Sequence, residues 1–410
     1  MKANGRHLVS LDVGSSKVAV LLCEIGQDGR VYLRGSGLAD SKGFRKDTLI
    51  NFNAAVEAIR QAVEAAENAS GVTLESAVIG VAGRHIRSLN SRGGVSLGPR
   101  TREVDADDLR RAIEAARGVS LPPEQELLHV LPQEFLLDEE KGLRDPLGLL
   151  GKRLEVNVHI ITTESTATQN LIAAVNRAGI IVEDTVFEPL AAAEACLTPD
   201  ERELGVVLVD LGGGSTDWIV FEQGAPRTTG MVPVGGEHFT NDLAVGLRTP
   251  LWEAERLKRA HGCASTASLG QDTLFEAAGM GERPARVVSR RALCDILEPR
   301  AQEWLALLRD SIERAGCARL PAGGIVLTGG GAQLEGLTEL TGQALGVPAR
   351  LGLPKGLVGA NATLSNPACS TAVGLSLHAR RLRQAQKEQS GGLVSRLRNL
   401  VTGTVWAARA

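Results

Sequence analysis

Two carboxylates, Asp12 and Asp210, each close an apolar run and lead into a turn of glycine and hydroxyl residues. The first turn is Asp12-Val-Gly-Ser-Ser-Lys17 after the run 8–11, and the second is Asp210-Leu-Gly-Gly-Gly-Ser-Thr-Asp217 after the run 206–209. Both then enter another apolar run, 18–22 and 218–221. A strand–turn–strand hairpin of this make-up exposes backbone N–H groups that cradle phosphate oxygens, while the carboxylate holds a hydrated Mg2+. Taken singly, such glycines are also ordinary hairpin chemistry. A third strand–glycine element, Ile325-Val-Leu-Thr-Gly-Gly-Gly-Ala332, precedes a helical pattern at 333–345. Three such elements spread along the chain imply a cleft between two similar halves that grips one nucleoside triphosphate.

Residues 8–38 read as a strand meander, and 53–68 as an amphipathic helix with Ala55, Ile59, Ala62, Val63 and Ala66 on one side. A short strand follows at 78–81. From 85 to about 160, Gly93-Gly94, Pro99, Pro122-Pro123, Asp145-Pro146 and Gly148 punctuate short elements around one helix, 107–117, which Asp105 caps. This segment reads as an inserted small domain. The next helix is 166–178, then a strand at 180–187, then Glu188-Pro189 opening an alanine-faced helix that a second helix can approach closely. Glycines Gly235 and Gly236 precede a helical stretch, Leu251–His261, that carries Glu255 and Lys258. A further helical stretch, Arg290–Arg314, contains Pro299, which has no N–H to donate, so a kink or a break is expected there. The last helix of the body starts at Ser370 and runs into Arg380-Arg381.

Residues 384–392 are polar, end Ser-Gly-Gly and read as a linker. Beyond them, 393–406 sets Leu393, Val394, Leu397, Leu400, Val401 and Val405 at helical spacing against Arg396, Arg398 and Asn399, with Trp406 at the end. So short a helix is marginal in water, so its folding should be coupled to a surface that buries the apolar stripe.

A chain of 410 residues forms two or more domains, and a net charge of −3 gives no general affinity for nucleic acid. The six cysteines lack C-x-x-C or metal spacing and read as buried thiols of a reducing cytoplasm. The seven histidines show no triad or zinc spacing, and His129 and His159 read as structural. Residues 1–7 lack a signal-peptide core, and no stretch of 18 apolar residues occurs, so the chain is expected in the cytosol. No G-x-x-x-x-G-K-[ST] occurs, which excludes a P-loop ATPase.

The order of phosphate hairpin, Glu-Pro helix, second hairpin, Thr-Gly-Gly-Gly turn and closing Ala-Val-Gly helix resembles the actin, heat-shock 70 and sugar-kinase superfamily. Within it, Arg102-Glu-Val, His129-Val-Leu-Pro-Gln-Glu-Phe135, Asp145-Pro-Leu-Gly-Leu-Leu-Gly-Lys-Arg-Leu154 and Val158-His-Ile-Ile161 resemble the insertion of the bacterial FtsA cell-division family. The resemblance implies an α/β, actin-like two-lobed ATPase fold with an inserted small domain and a C-terminal amphipathic helix. It divides the chain into a subdomain of 1–84, 165–197 and 365–383; the insertion, 85–164; a subdomain of 198–230 and 303–364; another of 231–302; the linker 384–392; and a membrane-targeting helix, 393–406.

The resemblance also implies ATP and Mg2+ as cofactors. Asp12, Gly14, Ser15, Ser16 and Lys17 correspond to the first phosphate loop, and Asp210, Gly212, Gly213, Gly214, Ser215 and Thr216 to the second, with Asp12 and Asp210 toward the metal. Gly235, Gly236, Glu237, Glu255 and Lys258 fall where the superfamily contacts ribose and adenine, and Gly329, Gly330 and Gly331 where backbone approaches the base. Glu255 and Lys258, three residues apart, can equally be an exposed helix ion pair. Glu188 corresponds to the residue that orients attacking water, or is a structural carboxylate at a helix N-terminus. The implied partners are the C-terminal tail of the tubulin-like FtsZ, other copies of the chain in a head-to-tail filament, later division proteins and an anionic membrane surface. Arg286, Arg290, Arg291 and Arg300 are the expected tail-binding residues, and Leu393, Val394, Leu397, Leu400, Val401 and Trp406 the membrane-facing ones. The expected location is the cytoplasmic face of the cell membrane at the division site. A pilus-assembly actin-like ATPase is the alternative; a chaperone would need a further domain after residue 374.

Overall fold

The computed structural model describes residues 7–389 except 47 and 282. The expected anchor 393–406 and residues 390–392 lie outside the described residues. Two sheets of matching topology organise the molecule. In the first, His7–Val13 pairs antiparallel with Lys17–Ile25, which pairs antiparallel with Val31–Asp40; on its other side His7–Val13 runs parallel to Ser76–Val81, which runs parallel to Ile181–Phe187. In the second, Val206–Leu211, Thr216–Glu222 and Ala225–Val232 repeat the antiparallel meander, and Ile325–Thr328 and Ala349–Leu351 repeat the parallel side. Each Asp–Gly turn therefore occupies the same place in its sheet, between the central strand and its hairpin partner.

Helices hold the sheets in register. Phe52–Ser70 is capped by Asn51, whose side chain accepts from the Ala54 N–H at 3.1 Å, and ends at Gly71 in the left-handed region. It buries Ala55, Ile59, Ala62, Val63 and Ala66 against the first sheet. Gly37 is required beneath it, because a Cβ there would collide with the Ala62 carbonyl. Glu188–Cys196 and Ser370–Gln389 pack against each other so closely that a Cβ on Gly374 would run into the Ala191 carbonyl. This is the close approach that the alanine face predicts. Around this pair one apolar core runs on from the first lobe (Leu21, Val186) into the second (Leu208, Ile219, Phe221).

The inserted segment is a four-stranded antiparallel sheet, Glu140–Leu143, Gln125–Leu137, Arg153–Glu164 and Ile86–Ser96 in spatial order, with Ala106–Arg117 on one face. Asp105 caps that helix reciprocally with Asp108. The expectation of short elements fails at Gly93-Gly94, which lies inside the long strand Ile86–Ser96, whereas Pro99, Pro122-Pro123, Pro146 and Gly148 do fall between strands. Gly93 lets the helix backbone at Ala116 approach, and Pro132 sits at a register shift opposite Val158.

Other boundaries differ as well. Arg290–Arg314 is one helix with Pro299 inside it, so of the expected kink or break the break does not occur, and the 302/303 division cuts through an element. A buried face of Leu293, Leu297, Ala301, Trp304, Leu305, Leu308 and Ile312 keeps the helix going past the missing N–H. Leu357–Val358 pairs parallel with Val31–Asp40, so the chain rejoins the first sheet before residue 365. The helix Ser370–Gln389 also continues through 384–389, read as linker, because Gln, Ala, Lys and Glu are good helix formers however polar. The helix expected at 333–345 opens instead as a 3-10 turn, Gly330–Gln333, with the α-helix at Leu337–Leu345. Among the described residues all six cysteines are free and buried, and no helix is long and apolar enough to cross a membrane.

Candidate functional site

The two hairpins are closed by the same hydrogen bond. Gly14 N–H donates to Lys17 O and Gly212 N–H to Ser215 O, each at 3.0 Å. They face each other: a Cβ on Gly213 would stand 3.4 Å from Ser16 Cβ, 3.6 Å from Ser15 Cβ and 3.5 Å from a Glu237 carboxylate oxygen. Between them opens a cavity of about 400 Å³ walled by Gly14, Ser15, Asp210, Gly212, Gly213 and Ser215. Glu188, Asp217 and Gly80 line it too, and Phe44, Thr48 and Leu49 bring the small hairpin Phe44–Arg45/Thr48–Leu49 to its wall.

The carboxylates sit in different surroundings. Asp12 is buried, and desolvation pushes its carboxyl above the ordinary range against the pull of Lys17, whose Nζ stands 3.7 Å from Oδ2. That separation exceeds a hydrogen bond, and Lys17 Nζ is buried with no hydrogen-bond partner. Asp210 accepts from Thr371 Oγ1 at 3.0 Å, which ties the second hairpin to the closing helix. Thr216 is fully buried and fixes its strand, donating to Val234 O at 2.6 Å while accepting from Trp304 Nε1 at 2.9 Å.

The remaining predicted residues converge on the same hairpin from the second lobe. Gly236 N–H donates to Gly212 O and Glu237 N–H to Gly213 O, both at 2.9 Å, so helix Gly236–Gly246 is docked on the turn. Gly235 has no room for a Cβ against Gly213, and Gly329, at φ 85°, has none against Asp210 and the Leu211 carbonyl. A Cβ on Gly331 would meet Leu211 Cγ at 2.5 Å. Lys258 Nζ donates to Gly236 O at 2.9 Å and to Thr240 Oγ1 at 2.8 Å, and pairs with Glu255 at 2.7 Å. The pair is thus an ion pair, but one that braces the site instead of decorating an exposed face. Burial opposes the Glu255 charge, yet Lys258 and its hydrogen bonds hold that carboxyl well below its usual range.

Glu188 opens the proline-led helix with its side chain against Gly80: a Cβ on that glycine would meet Glu188 Cγ at 2.8 Å and Oε1 at 3.0 Å. The four arginines expected to bind a partner are not equivalent. Arg286 and Arg291 are exposed. Arg290 donates to Glu335 at 2.5 Å and to His261 O at 3.1 Å, and Arg300 forks onto Asp242 at 2.5 and 3.1 Å while also holding Glu303.

Two residues at the site escape the sequence argument. Asp217 accepts from Ser215 Oγ at 2.7 Å and from Gly83 N–H at 3.1 Å, and it is the cross-strand partner of Asp210. Strand alternation within the hairpin would have put it beside the cleft. Thr371 comes from 161 residues away and carries no local signal.

Comparison with known proteins bears on the whole chain. A family model described as "Cell division protein FtsA" matches residues 207–374, and one described as "SHS2 domain inserted in FTSA" matches residues 83–162. The "Cell division protein FtsA" of Pseudomonas aeruginosa is 41% identical over 375 residues, covering 92% of this chain and 89% of the relative. Among solved structures, the PilM-PilN type IV pilus biogenesis complex matches with a TM-score of 0.65 at 19% identity, covering 91% of this chain and 98% of the other. MreB5 of Spiroplasma citri bound to ADP matches with a TM-score of 0.56 at 13% identity, covering 93% and 98%.

Proposed function

The chain belongs to the FtsA family of cell-division proteins, and from that premise we propose that it binds Mg·ATP between the facing hairpins and links FtsZ filaments to the cytoplasmic membrane at the division site. The observation that carries nucleotide binding is Lys17: an ammonium buried at the end of the first turn, with no hydrogen bond made and the Asp12 carboxylate 3.7 Å away, is what a phosphate oxygen satisfies. Asp12 and Asp210 would hold Mg2+ largely through its waters, given that ion's reluctance to dehydrate. When bound, Mg·ATP supplies an anhydride whose terminal phosphoryl group water can attack. The part of this chain is to fix the phosphates with hairpin N–H groups and to orient water with Glu188, with hydrolysis slow. Glycines Gly235, Gly236, Gly329, Gly330 and Gly331, with Glu237 and the Lys258–Glu255 brace, would shape the nucleoside end.

In this reading the nucleotide biases the lobes toward a head-to-tail polymer, and the polymer multiplies weak membrane helices into firm attachment by avidity. Later division proteins join the assembled polymer. The FtsZ tail would dock on hairpin Leu274–Ala277/Arg286–Ser289, whose exposed Leu274 and Val287 would offer apolar contacts and whose exposed Arg286 a cationic one to an acidic, apolar peptide. Arg291 would add to them, whereas Arg290 and Arg300 act mainly to hold that subdomain together. The pilus-type alternative has a shared fold in its favour and no further observation. Titration with Mg·ATP tests the central claim: Lys17→Met should weaken binding tenfold or more, as loss of a charge-assisted bond of about 1.5–3 kcal/mol implies. Equal affinity in a folded Lys17→Met protein would remove the phosphate assignment.

A further inference from the structure

The insertion hangs from the first lobe, yet its hydrogen bonds reach across to the second. The second sheet ends in Ala225–Val232, and the carbonyls on the free edge of that strand are received by insertion side chains in place of another strand. Ser88 Oγ donates to Thr229 O at 3.2 Å, Asn90 Nδ2 to Arg227 O at 3.3 Å, and Gln133 Nε2 to Pro226 O at 3.0 Å and Arg227 O at 2.9 Å. His159, buried, bridges Asn90 Oδ1 at 2.7 Å and Thr229 Oγ1 at 3.1 Å. Gln133 reaches so far because it is the extra residue of a bulge: Asn157 pairs with Glu134 and Val158 with Pro132, leaving Gln133 out of the ladder. A bulge re-aims a side chain in just this way.

A second connection lies at the nucleotide end. Gly83, in the turn that opens the insertion, donates its N–H to Asp217 of the second hairpin at 3.1 Å, and its φ of 108° suits glycine alone. The same turn is closed by Ile86 N–H on Gly83 O at 3.1 Å, and His85 O accepts from Glu164 N–H at 3.1 Å, joining the two ends of the insertion. Asp217 and the edge strand belong to consecutive strands of one sheet, so the phosphate turn and the docking strand move together.

We propose that the insertion is a latch between the lobes whose docking on Ala225–Val232 is coupled, through Asp217 and Gly83, to which nucleotide occupies the second hairpin. The hydrogen bonds of the seam are side-chain amides and a hydroxyl on backbone oxygens, an imidazole on the Thr229 hydroxyl and the Arg144 guanidinium on Glu203 and Gln223 O, contacts that water can replace, while Leu128, Leu131 and Ile161 of the insertion stay in the apolar core shared by the lobes. Coupling of this kind is reciprocal: a state change at the phosphates that shifts latch opening by some factor requires that opening the latch shift nucleotide preference by the same factor. The inference rests on nucleotide binding at the two hairpins.

The test uses the full chain carrying spin labels at Lys141→Cys on the insertion and Glu339→Cys on the second lobe, both exposed while the native thiols are buried. Pulsed dipolar spectroscopy should give one narrow distance distribution in the parent and a broadened one in Asn90→Ala/Gln133→Ala, together with at least a threefold change in the ratio of ATP to ADP affinity. Gln133→Ala alone, which leaves the His159 bridge intact, should move both readouts in the same direction and serves if the double variant does not fold. An unchanged distribution overturns the latch, and a broadened one with an unchanged affinity ratio overturns the coupling. A parent chain that binds neither nucleotide removes the coupling along with the nucleotide assignment, whereas the distance measurement still reports on the latch.

Discussion

At the scale of single residues, two kinds of polar group decide behaviour. Glu188 lies against Gly80, so Gly80→Ala would push a methyl to 2.8 Å from Glu188 Cγ and displace the carboxylate without touching the phosphate turns. Both Glu188→Ala and Gly80→Ala should therefore slow ATP turnover several-fold while Mg·ATP affinity stays within about twofold, in single-turnover assays; an unaltered rate in both makes Glu188 structural. The histidines give a pH dependence. Burial lowers His159, helped by nearby Arg227, and burial alone lowers His378, each to about 4. The folded state then binds fewer protons than the unfolded chain, so their stabilisation is present above pH 6.5 and is lost as pH falls toward 4. Urea unfolding at pH 5 should show a loss of about 2 kcal/mol per histidine relative to pH 7.5, and His378→Leu should remove its share. The two facing turns were legible in the sequence because the same pattern of aspartate, glycine and hydroxyls follows two separate apolar runs. Asp217 and Thr371 were not, since their roles come from cross-strand and helix-to-turn contacts that no local spacing encodes.

At the scale of elements, small residues set the distances between helices. The contact between Glu188–Cys196 and Ser370–Gln389 depends on Gly374, whose missing Cβ leaves room for the Ala191 carbonyl. Gly374→Ala should lower stability by about 1–3 kcal/mol and weaken Mg·ATP binding with it, because the same helix carries Thr371 to Asp210; calorimetry and titration on one sample check both. An unchanged melting temperature would show that the helices separate freely. Periodicity located most helices, since their apolar faces are buried as the spacing demands. It misjudged the insertion at Gly93-Gly94, where glycine serves close approach inside a strand, and it read 384–389 as linker from polarity although those residues favour helix.

At the scale of the molecule, the proposed link between filament and membrane requires two separable surfaces. Full-length protein with Mg·ATP should carry an acidic, apolar tail peptide onto anionic liposomes in a sedimentation assay. Deleting 390–410, or Leu397→Glu with Leu400→Glu, should leave protein and peptide in the supernatant, whereas Arg286→Glu/Arg291→Glu should sediment protein without peptide; peptide retained by the latter variant would move the docking surface elsewhere. The matched sheets were foreseeable from the repeated Asp–Gly turns, but their shared core was not. That core bears on synthesis. Ser10 Oγ in the first strand donates to Ala372 O at 2.9 Å and meets Ser376 Oγ at 2.8 Å, and Leu357–Val358 is added to the first sheet. The first strand is thus met by partners 362 and 366 residues downstream, while the insertion pairs its own strands with one another. On the ribosome the first strand therefore waits for the helix that covers it, and a nascent chain stalled before residue 370 holds a first sheet with one face still open and a second hairpin without its Thr371 tie.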